Sequence, residues 1–291
     1  MRFDYVTVGH VTVDVIARED GPSDLRDGAT GEHRQPGGGA FYSALQAARL
    51  GLRTLIVTRG VAEELQPLLA PYAPELQVEI LPAAHTTTLL TRGRGRRRSQ
   101  RLLAWAGPFD EPLALDTEIL HLAPIARETP RSWGGPVSFV GLTPQGLVRG
   151  WGGGGEIGKA DLARERIPAH CDAVVFSAEE SGRCAELPAL AGNPIVAITA
   201  GARPTTVLGE TDAPIDVATC EVPLIRDDLG AGDVFAAAFF VALHDGLPPE
   251  RAAEFGNAAA AVRIAGAGPD AIGDRKAIEH MAARGSRSAE R

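Results

Sequence analysis

Residues 227–233 read Asp-Asp-Leu-Gly-Ala-Gly-Asp and run directly into Val-Phe-Ala-Ala-Ala-Phe-Phe-Val-Ala-Leu at 234–243. The small residues Gly230, Ala231 and Gly232 permit a tight turn with outward-pointing backbone N–H groups. The apolar run behind them reads as a buried helix ending near Gly246. A helix start behind small residues suits an anion, because its first N–H groups lack intrahelical partners and the macrodipole favours negative charge. A carboxylate there is unexpected if the turn only holds an anion. Beside a bound phosphate, Asp233 is placed to take a proton from an attacking hydroxyl. On this stretch alone, Asp233 also reads as an ordinary N-cap after a Gly-rich turn.

A second glycine-rich stretch lies near the N-terminus: Gly37-Gly38-Gly39-Ala40-Phe41-Tyr42-Ser43-Ala44, continuing to Ala47-Ala48-Arg49-Leu50-Gly51. The first stretch resembles the Asp-Thr-x-Gly-Ala-Gly-Asp signature of the PfkB/ribokinase family of carbohydrate kinases, with Asp228 where Thr or Pro is usual. The second resembles that family's N-terminal signature. Two signatures in the family's order, separated by most of the chain, are more specific than either alone, and the resemblance extends from Gly9–Asp14 to the segment 266–273.

The resemblance implies a ribokinase-like α/β sandwich with a mostly parallel central sheet and a small β-lid. It implies transfer of the γ-phosphate of ATP, with Mg2+, to a hydroxyl of a sugar, polyol or nucleoside. Asp233 is then the general base, and the N–H groups of Gly230, Ala231 and Gly232 form the anion hole, as phosphoryl transfer by positioning and charge stabilisation requires. Asp14 matches a position that binds substrate hydroxyls, and a carboxylate accepts well from vicinal hydroxyls. Gly38 and Gly39 let backbone approach substrate. Tyr42 stands where an Asn is usual, and a phenol can donate one bond or stack on a ring but cannot replace an amide.

Ser177 and Glu180 match an Asn-x-x-Glu element whose Glu acts through water on Mg2+, a cation that keeps its waters. They read equally well as a helix N-cap with an acidic first turn. Thr199 and Gly201 match a nucleotide loop, although Arg203-Pro204 replaces its usual glycine. Asn257 aligns with a residue near the adenine, or is a buried packing amide. Asp227 matches a position that often binds a monovalent cation. No Walker-type Gly-x-x-x-x-Gly-Lys-[Ser/Thr] occurs in the chain, which excludes a P-loop.

The chain has 291 residues, 44% hydrophobic and 23% charged, with a net charge of −8. That composition is globular, and the acidic balance argues against nucleic acid as the main partner. No apolar run approaches the ~18 residues of a membrane span. The start, Met1 to His10, reads as a strand entering a loop and not as a signal peptide, so a cytoplasmic location is expected. Cys171, Cys184 and Cys220 lack metal-ligand spacing and read as reduced thiols.

Short β-rich runs are predicted at 4–9, 54–58, 77–81, 119–123, 137–141, 173–177 and 195–199, with a further pair near 205–208 and 215–218. Helices are predicted at 40–50, 61–70, 179–190, 233–245, 249–265 and 274–283. The alternation implies one domain over 1–291, with a mostly parallel sheet and its ligands beyond the strands' carboxyl ends. Gly9, Gly141, Ser177 and Gly201 all follow predicted strand ends and should share that rim. Segments 10–35 and 86–105 lack a helical stripe and are expected to form the lid, through which two copies could pair as a homodimer. The tail 284–291 has the composition of a disordered end. Arg92, Arg94, Arg96, Arg97, Arg98 and Arg101 read as a solvated hairpin turn or as contacts to an anion. Thr143-Pro144-Gln145-Gly146-Leu147-Val148-Arg149 resembles a segment of a family branch that includes plant inositol kinases, which points to a cyclic polyol. Two rivals are a nucleoside kinase, with Tyr42 stacked on a base, and a non-catalytic member that binds nucleotide or sugar.

Overall fold

The structure is a computed structural model that describes residues 2–17, 32–93, 98–110, 112–209 and 213–289. The elements run β1 Phe3–Val8, β2 Thr12–Ala17, β3 Glu32–Gly37, α1 Gly39–Arg49, β4 Thr54–Gly60, α2 Ala62–Leu69, β5 Gln77–Pro82, β6 Thr88–Arg92 and β7 Ser99–Ala104. They continue with β8 Leu113–Ala114, β9 Thr117–Leu122, β10 Trp133–Gly134, β11 Val137–Leu142, β12 Arg149–Trp151, β13 Ile157–Lys159, β14 Ala173–Ser177, α3 Leu187–Leu190 and β15 Ile195–Ala200. The chain closes with β16 Arg203–Leu208, β17 Ile215–Val217, α4 Ala231–His244, α5 Pro249–Ala265 and α6 Arg275–Ala289.

Nine strands form the central sheet in the order β17-β16-β15-β14-β11-β9-β1-β4-β5. Every neighbouring pair from β5 to β15 is parallel, while β16 and β17 run antiparallel at one edge. Consecutive strand residues point to opposite faces, and both faces are covered, which explains the unbroken apolar runs in the sequence. Tyr5, Ile119, Phe139 and Val175 face one core with α1, α4 and α5. Their neighbours Val6, Leu120, Val140 and Val174 face a second core with Leu147, Ile167 and Leu187. The architecture is the expected α/β sandwich.

One predicted helix is mostly absent. Residues 179–186 form turns, and only Leu187–Leu190 is helical. Pro188 lies in the first turn of that short helix. It has no N–H to donate to residue 184 and its ring crowds the carbonyl there, which interrupts a helix at 184–188; before it, Arg183 and Cys184 N–H both turn back to Glu180 O.

The segments around 12–17, 32–37, 88–92 and 99–104 build a separate four-stranded sheet in the order β3-β2-β6-β7. β2 and β6 pair in parallel, and the two outer pairs are antiparallel. Residues 18–31 and 94–97, which include Arg94, Arg96 and Arg97 of the basic cluster, lie outside the described residues, as do the last two residues of the tail. Thr12 pairs with Gly37. The start of this small sheet therefore lies at the glycine triplet.

Candidate active site

The glycine triplet leaves room for two carboxylates. A Cβ on Gly37 would lie 2.2 Å from Asp14 Oδ2, and one on Gly39 would lie 2.9 Å from Asp233 Oδ1. Only a residue without a side chain lets the chain pass so close to both. Asp14 and Asp233 line one cavity of about 170 Å3, together with Gly38, Gly39, Tyr42, Ser177, Glu180, Thr199 and residues 228–232. That volume is below the ~300–1,000 Å3 of sites for drug-sized ligands and suits a monosaccharide-sized molecule. It lies beyond the carboxyl end of β14, where parallel α/β sheets bind ligands.

Gly230 is the N-cap of α4, with φ 77°. A Cβ there would fall 2.3 Å from the ring of Tyr42, so both conformation and space require glycine. Asp233 is therefore the third residue of the helix and not its N-cap. Asp233 is half-buried at the cavity wall. Desolvation pushes its carboxyl up to about 7, with Arg149 opposing the shift and the charges of Glu180 and Asp14 adding to it. Asp14 is buried and accepts a 2.6 Å hydrogen bond from Thr12 Oγ1. Burial raises it to about 6, against the Thr12 bond and the positive charges of Arg149 and Arg98. Both groups thus sit in the range where a carboxylate can exchange a proton near neutrality. Of the three turn N–H groups, that of Ala231 is directed at Asp228 O at 3.3 Å.

Tyr42 is 1% exposed. Its ring packs on Gly230 and lies 5.6 Å beneath the guanidinium of Arg263, and Gln35 Nε2 donates to its hydroxyl at 3.5 Å. The ring is covered by protein, so stacking on a substrate base is not what holds it here.

The predicted element at Ser177–Glu180 is a turn. Ser177 N–H donates to Glu180 Oε2 at 2.9 Å, and Glu180 N–H donates back to Ser177 O at 2.9 Å. Ser177 is not a helix cap, since no helix starts there. A second cavity of about 810 Å3 adjoins the first across Thr199, Asp228, Ala231 and Gly232. Gly201 and Asn257 line it, with Val222, Pro223, Ile225 and Ile264 supplying apolar wall. The side chain of Asn257 is engaged within the protein: Thr205 Oγ1 donates to its Oδ1 at 2.8 Å, and its Nδ2 donates to Ala218 O at 3.1 Å. It joins α5 to the antiparallel edge and shapes the wall.

Two cations face the smaller cavity. Arg149 donates to Gln100 Oε1 at 3.3 Å and to Ile125 O at 3.4 Å. Arg98, on the lid, pairs with Asp228 of the turn. The sequence offered Arg98 as an anion contact or a solvated turn residue, and Arg149 only as part of the 143–149 segment. Sequence reasoning missed a buried chain, Tyr5 hydroxyl to His121 Nδ1 at 2.8 Å and His121 Nε2 to Thr143 Oγ1 at 3.1 Å, which reaches the cavity at Thr143. Burial holds His121 down to about 3, so it is neutral. Nothing local in the sequence marks these residues. Tyr5 and His121 lie on β1 and β9 and Thr143 just after β11, and they meet only through sheet order.

Asp227 is absent from the lining of both cavities. Its carboxylate accepts from Arg263 Nη2 at 2.7 Å, Leu229 N at 3.0 Å and Gly268 N at 3.1 Å. Burial raises the Asp227 carboxyl, and the Arg263 guanidinium with the two N–H groups outweighs it, leaving the pKa below the usual value. Among the described residues no group of three or more His, Cys, Asp or Glu is arranged to hold a metal ion. No described helix is long and apolar enough to cross a membrane.

Residues 159–274 match the family model described as pfkB family carbohydrate kinase. No curated protein matches the chain in sequence. Solved structures match in fold. A pyrophosphate-dependent kinase in the ribokinase family, complexed with a pyrophosphate analogue and myo-inositol, superposes with TM-score 0.73 at 21% identity, covering 95% of this chain and 99% of that one. Arabidopsis thaliana ribokinase complexed with ribose and ATP gives TM-score 0.71 at 18% identity, covering 97% and 99%. A Burkholderia thailandensis nucleoside kinase in complex with inosine gives 0.71 at 15%, covering 97% of each chain. The family match and the shared fold bear out the resemblance read from the two glycine-rich motifs.

Proposed function

We propose that this PfkB-like chain of ribokinase fold is a kinase that transfers the γ-phosphoryl group of ATP to a hydroxyl of a sugar or cyclic polyol. The observation that carries the reading is the pair Asp14 and Asp233 in one small cavity, beside a helix start that borders a second, larger cavity. Asp14 accepts from the acceptor's hydroxyls. Asp233 takes the proton of the attacking hydroxyl as its oxygen bonds to phosphorus, and the bond from phosphorus to the bridging oxygen of the donor breaks. The N–H groups at the start of α4 hold the transferring phosphoryl group, and Arg98 and Arg149 balance its charge.

Magnesium, where bound, would neutralise the donor phosphates. Glu180 lines the same cavity and fits an outer-sphere contact to a cation that retains its waters. The larger cavity supports ATP as donor, since it offers apolar wall for a base. Pyrophosphate, the donor of the kinase with myo-inositol, would leave that volume unused. The cyclic-polyol reading rests on Gln145 and Arg149, which both line the smaller cavity. Covering of the Tyr42 ring removes the particular support for a nucleoside acceptor.

The test is phosphoryl transfer measured with ATP and with pyrophosphate against a panel of hexoses, pentoses, cyclitols and nucleosides. Transfer from ATP to a cyclitol or sugar is expected. No transfer to any acceptor, with nucleotide still bound, would favour a non-catalytic binder.

A further inference from the structure

Arg263, in the last turn of α5, is fully buried and is among the largest buried side chains in the protein. A buried guanidinium is costly unless its charge and donors are met. The partners of its two Nη groups are oxygens of one short segment, while its Nε is buried without one. Nη2 lies 2.7 Å from Asp227 Oδ2 and 2.7 Å from Leu229 O, and Nη1 lies 3.2 Å from Asp227 O. Its plane lies over Tyr42, the ring on which Gly230 packs. One side chain therefore fixes the backbone of residues 227–230, the segment that leads into the α4 N-terminus and Asp233.

One carboxylate and two backbone carbonyls converging on a point form a hard oxygen set, of the type that replaces the hydration shell of a bare cation. The resemblance of Asp227 to a monovalent-cation position implies such an ion. The residues do not fit it here. The oxygens that would bind the ion already accept from Arg263, and Asp227 has Leu229 and Gly268 N–H groups on the same carboxylate.

We infer that Arg263 is a tethered cation, a positioning residue that holds the 227–230 turn where a free monovalent ion would otherwise be needed, so that the protein works without potassium or sodium. The guanidinium suits this post because it is planar, always charged and able to reach several oxygens at once. Tethering removes the dependence of loop order on ion concentration, which a dissociable ion would impose by mass action. The inference rests on the kinase reading only where activity is measured, and its stability arm stands without it.

The experiment compares melting temperature and phosphoryl-transfer rate in potassium, sodium and tetramethylammonium chloride at one ionic strength of about 0.1 M, so that surface charges are screened alike. The wild-type protein is expected to melt at the same temperature in all three and to keep its rate within about twofold. Arg263→Met retains the apolar stem but exposes the three oxygens to each other. It is expected to melt lower in tetramethylammonium and to regain stability, and with it rate, saturably on addition of potassium or guanidinium ion. Arg263→Lys keeps a tethered charge and is expected to remain indifferent to potassium. Stabilisation or activation of the wild type by potassium over tetramethylammonium overturns the inference. So does a folded Arg263→Met that no small cation rescues. If Arg263→Met fails to fold in every salt, the lysine variant decides: indifference to potassium supports the tethered cation, and potassium dependence or failure to fold overturns it. Should no transfer be detected in any protein, the melting comparison still separates the outcomes.

Discussion

Asp233, held up to about 7 by its surroundings, is the group through which pH should act on the site. It accepts a proton only when ionised, so kcat/KM is expected to rise with pH through about 7 and level off above it. Asp14, near 6, interacts with it, and the profile belongs to the pair. The same shift acts on stability. The folded carboxyl binds its proton more tightly than the unfolded one, whose value is 3.8. Its contribution is full below about pH 4 and is lost as pH rises through about 7. Asp233→Asn has no charge to desolvate. It should lower kcat by roughly 10²–10⁴, and its melting temperature relative to wild type should rise between pH 5 and pH 8. A fully active Asp233→Asn protein ends the mechanism proposed here. The carboxylates Asp14, Glu180, Asp228 and Asp233 outnumber Arg98 and Arg149 around the smaller cavity. Donor phosphates therefore need a cation beside them, and activity should vanish in excess chelator and return with Mg2+. Full activity in chelator would mean that the phosphate site is elsewhere.

Between elements, the segment that leads into β7 and the turn before α4 touch through Arg98 and Asp228. Asp228 is the residue that departs from the family motif, and the structure gives the departure a partner. Both side chains are partly buried, which makes the pair less screened than a surface one. Asp228→Thr should leave kcat within about tenfold, since Asp228 moves no proton, and should raise the acceptor KM as the lid loses its tie. Arg98→Ala should match it in KM, and a double variant no worse than either would show that the two act as one. What was legible in the sequence follows the same division. The strand-and-helix rhythm and the glycine motifs depend on local period and small residues, so one chain segment carries each signal. The helix expected at 179–190 is helical only at Leu187–Leu190, with Pro188 in its first turn, and the residues before it fold as turns. Arg263 and the hydrogen bonds that join Tyr5, His121 and Thr143 were not legible, because each acquires its meaning from residues distant in sequence; Arg149 was visible only as the end of the 143–149 segment. Tyr42 was visible as a departure, but its covering by Arg263 depends on how α5 packs.

At the scale of the molecule, the lid sheet and the two cavities set the predictions. β3 is the outer strand of the lid sheet, and Leu103 on β7 is 51% exposed. An outer strand and an exposed apolar side chain are the features through which the expected lid-to-lid pairing would occur. Light scattering at micromolar concentration tests it: twice 30.5 kDa supports the dimer, and a monomer removes it.

The cavities meet at the start of α4, with residues of the four-stranded sheet lining the smaller one and residues of α5 the larger. This division makes the donor testable apart from the acceptor. Ala260 lines only the larger cavity and is partly exposed there. Ala260→Trp would occupy part of that volume, which neither Asp14 nor Asp233 lines, and a side chain directed into open space avoids the strain of overpacking a core. If the donor is ATP, its base and the indole compete for the same wall. The KM for ATP should then rise by about tenfold or more, with the acceptor KM unchanged, because the lost interaction is uniform binding and not transition-state stabilisation. If the donor is pyrophosphate, which needs only the helix start and the arginines, Ala260→Trp should transfer phosphate at the wild-type rate. An unchanged melting temperature confirms that the variant is folded. A normal ATP KM in a folded Ala260→Trp protein would mean that the larger cavity does not receive the nucleotide.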